Sequence, residues 1–311
     1  MDLGAEVARR YAAQIEYGGS DRAVHRVRPE VSVLVITYQH AAFLRECLDG
    51  ILAQQTDFPF EVVIGEDGSE DGTRDICIEY ADAHPDVVRL FLRDRALTQL
   101  ELPPGGVLAV KRLNGRFTRM AARGDVLAFC EGDDRWTDPT KLQRQVDVLR
   151  ADPGVAVVVH RVAVEWTSDD ADAWQYSAAD HARLSTEDVI WDPGTPTCAV
   201  VMRHVDLDDD RFLEWSCRTL SVDYLTRAIA SFHGTTYFID REMALHRKHP
   251  GGLSQSAAYR DRLRLAESTR NLYLAIRALG PPDRRTLTNP KLAGVTGKLA
   301  VEEARARHPR A

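Results

Sequence analysis

The run FCEGDDRWTDPTKL, beginning at Phe129, closes an apolar stretch with Glu131, Asp133 and Asp134, and Asp138 follows shortly after. Carboxylates this close repel one another, and each resists burial unless something positive sits among them. Two chemistries fit the pattern. One is a solvated acidic turn leading into a helix; the other is a set of hard oxygen ligands for a divalent cation. Along an extended segment alternate residues share a side, which turns Glu131 and Asp133 together, while Gly132 lets the backbone come close to a ligand. Asp138-Pro139 reads as the start of the next helix. Further polar clusters follow other apolar runs: TYQH from Thr37, EDGS from Glu66, and HRKHPGG from His246.

These clusters need elements to position them. VSVLVITY is a continuous β-rich run of the kind buried on both faces, and FEVVIGED, VVRLFLRD and DVLAFCEGDD repeat the pattern. Between them FLRECLDGILAQQ, with Phe43, Leu44, Cys47, Leu48, Ile51 and Leu52 on one side, and DGTRDICIEYADAH have helical spacing. A further helical segment is expected over Gly106–Arg123. Strands alternating with helices predict right-handed crossovers and a mostly parallel sheet, whose ligands gather at the carboxyl ends of the strands. TYQH, EDGS and EGDD all fall there. In the second half TKLQRQVDVLRADP reads as an amphipathic helix and VAVVVHRVAVEW as a strand. Thr167–Arg183 reads as an acidic mobile loop, Leu184–Ser256 as mixed, Ala257–Leu279 as helix, and the chain after Pro281 as a loosely packed tail.

Size and composition are those of a globular protein: 311 residues, 44% hydrophobic and 28% charged. The formal net charge of -7 argues against nucleic-acid binding by phosphate neutralisation. Five cysteines, odd in number and without a CxxC pair, indicate neither a disulfide framework nor a zinc knuckle and fit a reducing cytoplasm. No apolar run is long enough to span a bilayer, and the N-terminus has no signal-peptide core. Peripheral membrane association and a homodimer stay open.

Four blocks in order, SVLVITYQHAAFLRECLDGIL, EVVIGEDGSEDGT, ARGDVLAFCEGDDRWTDPTKL and HRKHPGGLS, resemble the family-two nucleotide-sugar glycosyltransferases of GT-A fold. The resemblance runs from about Val31 to about Ser256. It implies residues 29–256 as the GT-A domain, with 29–140 holding the nucleotide sugar and 141–256 the acceptor and catalytic residues. Residues 1–28 form an N-terminal helix and connector, and 257–311 a C-terminal helical extension.

The resemblance also implies roles. Thr37 and Tyr38 lie near the nucleotide base, with a strand-to-helix turn capped near Gln39 as the structural alternative. Glu66 and Asp67 take the place of two aspartates that contact uracil and ribose, with Glu66 departing from the family. Asp67–Asp71 also fits a simple turn and helix cap. Glu131-Gly132-Asp133 stands for the D-x-D motif that holds magnesium or manganese against the donor's diphosphate, again with glutamate first. Asp133 is then the direct metal ligand, Glu131 meets the ribose or a metal-bound water, Asp134 orients the site, and Trp136 offers a flat face to a sugar. In the HRKHPGG block Arg247 is assigned to phosphate and His249 to the metal, while His246 and Lys248 read as surface residues. Lys111, Arg112, Arg116 and Arg119 form either a phosphate-facing group or a solvated helical face. The family's catalytic base precedes a helix in the second half; LSVDYLTRAIASFHG matches, with Asp223 its single acid, an N-cap as the alternative reading and Glu214 in reserve. Asp208, Asp209 and Asp210 read as a solvated charge run.

The expectation is therefore an α/β GT-A protein: a Mg2+- or Mn2+-dependent inverting glycosyltransferase with a UDP-sugar or related donor. Its acceptor, whether saccharide, lipid-linked sugar, peptide or small molecule, is not legible. The alternatives are a non-catalytic sugar-nucleotide-binding or scaffold subunit, and a nucleotidyltransferase, for which the chain lacks a glycine-rich basic loop near its start.

Overall fold

The computed structural model describes residues 2–103, 107–108, 110–166, 183–191, 195–207, 209–252 and 261–307. Its centre is a nine-stranded sheet. β1 (Val31–Thr37), β2 (Phe60–Glu66), β3 (Val88–Leu92) and β6 (Val126–Phe129) lie in the order β3-β2-β1-β6 and pair in parallel. β10 (Val201–Arg203) then runs antiparallel to both β6 and β8 (Val155–Trp166), and the long β11 (Thr235–Lys248) returns to the parallel sense beside β8. The two-residue β7 (Arg135–Trp136) closes that edge antiparallel to β11, and β9 (Arg183–Leu184) also pairs with β11. The sheet is thus mostly parallel, and the carboxyl ends of β1, β2, β6, β8 and β11 point the same way.

The apolar runs read as doubly buried strands are buried on both faces. α2 (Leu44–Leu52), α3 (Thr73–Ala83) and α6 (Lys141–Ala151) cover one face through Leu44, Leu48, Ile51, Ile76, Tyr80, Leu142 and Val146. α5 (Asn114–Met120), α7 (Thr186–Trp191) and α9 (Val222–Ala230) lie over other parts of the fold. The second face packs Leu34, Val63, Leu127, Val157, Met202 and Phe238 against residues that include Ala121, Val189 and Ala230.

Two segments depart from expectation. The stretch predicted as helix over 106–123 opens as a hairpin, β4 (Gln99–Glu101) with β5 (Val110–Arg112), and turns helical only at Asn114. α1 (Leu3–Ala12) packs there: Val7 joins Leu100, Leu113 and Phe117 in one apolar cluster, and Arg10 donates to the carbonyls of Ala96 and Gln99. The apolar spacing of the segment served this cluster rather than one long helix face. After Pro281 the chain is not loose. A 3-10 turn leads into α11 (Asn289–Arg307), which lies along α10 (Arg262–Leu279), with Leu292 and Val295 on the cluster of Leu272 and Ile276. The acidic loop falls at 167–182, outside the described residues.

Trp136 is a core residue, not a sugar platform. It is 3% exposed and packs among the residues under α2 and α6, and the Lys141 ammonium sits 3.8 Å over its ring. Gly50 on α2 is what allows this closeness, since a Cβ there would lie 2.5 Å from the Trp136 carbonyl oxygen. Flat aromatic faces serve cores and ligands equally, so the residue type alone could not separate the two uses.

Two buried charges make the fold testable. Glu61 on β2 is fully buried and accepts from Ser32 Oγ at 2.6 Å, from the Arg123 N–H and Nε at 2.8 Å each, and from Arg89 at 3.3 Å. Removing one partner of a buried charge network leaves the others uncompensated, at a cost of about 3–5 kcal/mol. Glu61→Ala should lose stability on that scale in urea denaturation; a loss no larger than that from substituting exposed Glu187 on α7 would show the network to be dispensable.

Lys141 is the opposite case. It is fully buried, with Gln145 Oε1 at 2.8 Å as its hydrogen-bond acceptor, and burial pushes its ammonium down to about 7. The unfolded chain holds that proton up to about 10.5. Between those values the unfolded state binds more protons, so native stability rises with pH, at most by roughly 1.4 kcal/mol per pH unit. Lys141→Met should therefore exceed the wild type in stability at neutral pH, with the gap narrowing as urea denaturation is repeated toward pH 9. A gap independent of pH would mean that burial does not lower the Lys141 ammonium in the native state.

Candidate active site

The crevice begins where β1 stops. Gln39 takes a left-handed backbone, φ +57°, and the next residues are held by side chains from the loop after β2. Ser69 Oγ accepts the Gln39 N–H at 2.9 Å, Thr73 Oγ1 the His40 N–H at 2.8 Å, and Asp71 Oδ2 the Ala41 N–H at 3.0 Å. The two loops are therefore one hydrogen-bonded unit. α2 starts at Leu44 without a side-chain cap, and α3 follows Gly72 at φ +98°, so neither helix takes the cap expected from Gln39, Ser69 or Glu70.

Glu66 and Asp67 divide the work at the end of β2. Glu66 is fully buried; one oxygen accepts the Ser69 N–H at 2.6 Å and the other Arg74 Nε at 2.6 Å. Its carboxylate shapes the loop. Asp67 accepts from Thr98 Oγ1 and from Arg95 at 2.9 Å, and its own N–H donates to the Thr37 carbonyl at 3.1 Å. Burial pushes the Asp67 carboxyl above its ordinary value, against the pull of Thr98 and Arg95. The Arg95 guanidinium also lies 3.7 Å from the centre of the Tyr38 ring, with Arg112 at 5.9 Å. Tyr38, Asp67, Arg95 and Arg112 form a flat, polar recess.

The acidic motif follows β6. The Cys130 and Gly132 N–H groups donate to Leu34 and Ile36 of β1, so the chain continues beside β1 to the level of Thr37. Gly132 is required by this contact. A Cβ there would lie 2.6 Å from Thr37 Oγ1 and 2.9 Å from His40 Nδ1. Burial holds Glu131 well above the ordinary carboxylate value, and the nearby charges of Asp134, Asp133 and Asp223 add to it. Asp133 is pulled the other way. Burial raises it, but the His249 hydrogen bond and the His40 imidazole outweigh burial and hold it below its ordinary value.

Two imidazoles meet Asp133 Oδ2: His249 Nε2 at 3.1 Å and His40 Nε2 at 3.8 Å. These three residues can offer one ligand atom each within 4.8 Å of one another. The donor set fits a divalent cation. Sequence reasoning had Asp133 and His249 but not His40, whose cluster TYQH was visible without any sign that its imidazole turned inward.

The basic block departs from its assigned role. His246 and Arg247 are on β11 itself, opposite Val164 and Glu165 of β8. Arg247 is 5% exposed, and its guanidinium reaches Glu165 at 3.1 Å, Glu46, and the Asp133 carbonyl at 3.3 Å, with the Phe43 ring beside it. Its guanidinium is engaged by these protein partners. His246 is not a plain surface residue either; its Nδ1 and the Arg247 N–H both meet Asp134 Oδ1 at 2.9 Å. The block continues past Gly252 into residues outside the described ones.

Asp223 is exposed in the first turn of α9, and the residue preceding the helix is Ser221, so Asp223 is not the N-cap. Among the described residues no hydrogen bond or ion pair occupies its carboxylate, and its charge is felt at Glu131. Glu214 on α8 (Asp210–Ser216) pairs with Arg218 at 2.8 Å. Asp209, expected as part of a solvated run, caps α8 by accepting the Phe212 N–H; Asp208 lies outside the described residues. Asp138 accepts the Thr140 N–H ahead of α6 and pairs with Arg241. Of the four basic candidates, Lys111, Arg116 and Arg119 are tied to the carbonyls of Ser216 and Leu207, and Arg112 alone reaches the recess at Tyr38.

Comparison with known proteins agrees with this geometry. The sequence model described as glycosyltransferase like family 2 matches residues 29–258. An uncharacterized protein of Mycobacterium tuberculosis is 33% identical over 238 residues, which is 76% of this chain and 64% of that protein, so the chain spans less than two thirds of that relative's length. A protein of Nostoc named an uncharacterized glycosyltransferase is 34% identical over 131 residues, 42% of this chain and 36% of its own. Among solved structures, Staphylococcus aureus TarS with UDP-GlcNAc superposes with a TM-score of 0.52 at 14% identity, covering 90% of this chain and 92% of that one. A Pyrobaculum calidifontis mannosyltransferase with GDP-Man and Mn2+ gives 0.51 at 19%, covering 99% and 88%. The fold is GT-A, and the chain belongs to the glycosyltransferase-like family 2.

Proposed function

We propose that the chain is a metal-dependent, inverting glycosyltransferase that takes a nucleoside-diphosphate sugar, with UDP the favoured nucleotide, and passes the sugar to an acceptor hydroxyl. The observation carrying this reading is the convergence, at the carboxyl ends of parallel strands, of Asp133, His40 and His249 with Glu131 and, in electrostatic reach of Glu131, Asp223. Family membership supports it. So does the ligation state of the structural neighbours, one holding UDP-GlcNAc and the other GDP-Man with Mn2+.

The residues divide the reaction as follows. Tyr38 offers a ring face to the base, and Asp67 accepts from a base N–H, with Thr98 and Arg95 offsetting part of the burial that raises its carboxyl. Asp133 and His249 would hold Mg2+ or Mn2+, which would supply positive charge to the diphosphate as the leaving group. Glu131, with its proton retained by burial and its acidic neighbours, donates a hydrogen bond toward the donor's ribose or a coordinated water. Asp223 accepts the acceptor's proton as the acceptor oxygen bonds to the anomeric carbon, and the bond to the diphosphate breaks on the opposite face. The diphosphate leaves with the electron pair, which inverts the configuration. Glu66, Asp134 and Arg247 position the loops and do not touch the donor.

Asp133→Ala should abolish the metal-dependent part of UDP affinity, measured calorimetrically with and without Mn2+, while the fold is kept. Asp223→Asn should slow turnover by roughly a hundredfold or more, because the amide cannot take a proton. Its UDP affinity should be unchanged, and its stability should fall by at most about 1 kcal/mol, the worth of one charge at a helix N-terminus. Near-normal turnover in Asp223→Asn would move the base elsewhere, with Glu214 next to be tested.

A further inference from the structure

We infer that His40 is a direct metal ligand, so that the site is a two-imidazole, one-carboxylate centre that selects a first-row transition cation of the Mn2+ class over Mg2+. This rests on the metal-dependent reading above but concerns which side chain binds and which ion is preferred.

The position of His40 is built, not incidental. Its backbone is pinned by the Thr73 hydroxyl, and the flanking N–H groups of Gln39 and Ala41 by Ser69 and Asp71. A left-handed residue, Gln39, precedes it and turns the chain back over the end of β6. Its ring nitrogens are differentiated. Nδ1 lies 3.3 Å from the buried Thr37 hydroxyl, while Nε2 faces Asp133 Oδ2 at 3.8 Å. A proton on Nδ1 donated to Thr37 Oγ1 leaves the Nε2 lone pair directed at the carboxylate, the arrangement by which an outer partner orients a metal-binding imidazole. Gly132 completes it, because any side chain there would meet both Thr37 Oγ1 and His40 Nδ1 at under 3.0 Å.

The second imidazole is held separately. The Phe43 ring lies 4.9 Å from the His249 ring, and the His40 and His249 rings meet edge to face at 6.1 Å. Their Nε2 atoms reach the same oxygen of Asp133 from two sides. A purely acidic site would suit Mg2+, which demands hard oxygen ligands and holds its water. Imidazole nitrogen favours the transition cations instead, and two imidazoles with one carboxylate leave further positions open for donor oxygens and water.

The test uses the full chain with Mn2+ alone and then with UDP. Free Mn2+ is read from its solution electron paramagnetic resonance signal, nitrogen ligands are counted by spin-echo modulation, and Mg2+ is the competitor. The wild type should show two coupled nitrogens and keep its Mn2+ against about a hundredfold excess of Mg2+. His40→Gln should lose one nitrogen and bind Mn2+ roughly 10- to 100-fold more weakly. His40→Asp, which makes the site one imidazole and two carboxylates, should move the preference toward Mg2+. A single nitrogen in the wild type would overturn the role of His40 without any variant having to fold. Unchanged Mn2+ affinity in a folded His40→Gln would do the same. No Mn2+ binding by the wild type, even with UDP, would instead overturn the metal-dependent reading itself.

Discussion

The buried carboxylate of Asp134 joins segments separated by 112 and 113 positions in the chain. It is 1% exposed, and one of its oxygens accepts both the Arg247 N–H and His246 Nδ1. An anion so far from water needs donors of this kind, and their loss would leave it uncompensated. Because Asp134 follows Asp133 directly, and His249 lies two residues beyond Arg247, satisfying this one carboxylate brings Asp133 and the His249 imidazole, the proposed metal ligands, to one point. β7 pairing with β11, Ala244 opposite Trp136, extends the same contact into the sheet.

Around that junction the charges are arranged by contrast. The carboxyls of Glu131 and Asp133, two residues apart, are shifted in opposite directions, the first upward by burial and neighbouring acids, the second downward by the His249 hydrogen bond and the His40 imidazole against burial. Pushing neighbouring acids apart in this way gives a site both a proton donor and an anionic ligand. Arg247, between Glu46, Glu165 and the Asp133 carbonyl, supplies positive charge to the wall rather than to the ligand. Its guanidinium is well buried, and the ring of Phe43 packs on both Arg247 and His249. Second-layer contacts of this kind keep first-layer groups in register.

The recess formed by Tyr38, Asp67 and Arg95 is a separate unit, joined to the metal residues through the turn at Gln39 and His40. Hydrogen bonds from the Gln39, His40 and Ala41 N–H groups to Ser69, Thr73 and Asp71 carry the turn, so the loop that presents Asp67 also sets the backbone of His40. A nucleotide spanning both would contact a single hydrogen-bonded framework. Such preorganisation lowers the ordering cost of binding.

Sequence periodicity alone determined the parallel core. Continuous β-branched runs have no polar face to turn to water, so β1, β2, β3, β6 and β8 had to be covered on both sides, and helical spacing between them supplied the cover. Placing TYQH, EDGS and EGDD at one edge followed from that topology, and with it Asp133 as a candidate ligand. Which polar side chains point into the crevice was decided elsewhere. Arg247, Trp136 and Glu66 have types that suit phosphate, sugar and nucleotide, yet each is consumed by the protein: Arg247 by Glu46 and Glu165 far off in the chain, Trp136 by burial under α2 and Lys141, and Glu66 by Ser69 and Arg74 of its own loop. His40 and Arg95 carry no distinguishing spacing; a turn pinned by another loop and an ion pair across 28 positions gave them their place. The β4–β5 hairpin and the packed C-terminal helix were hidden for the same reason, since their apolar residues answer to α1 and α10 rather than to their own periodicity. Burial of a strand depends on its own composition, whereas the direction of a charged side chain depends on where its counter-charge lies, and only the tertiary fold brings that counter-charge near.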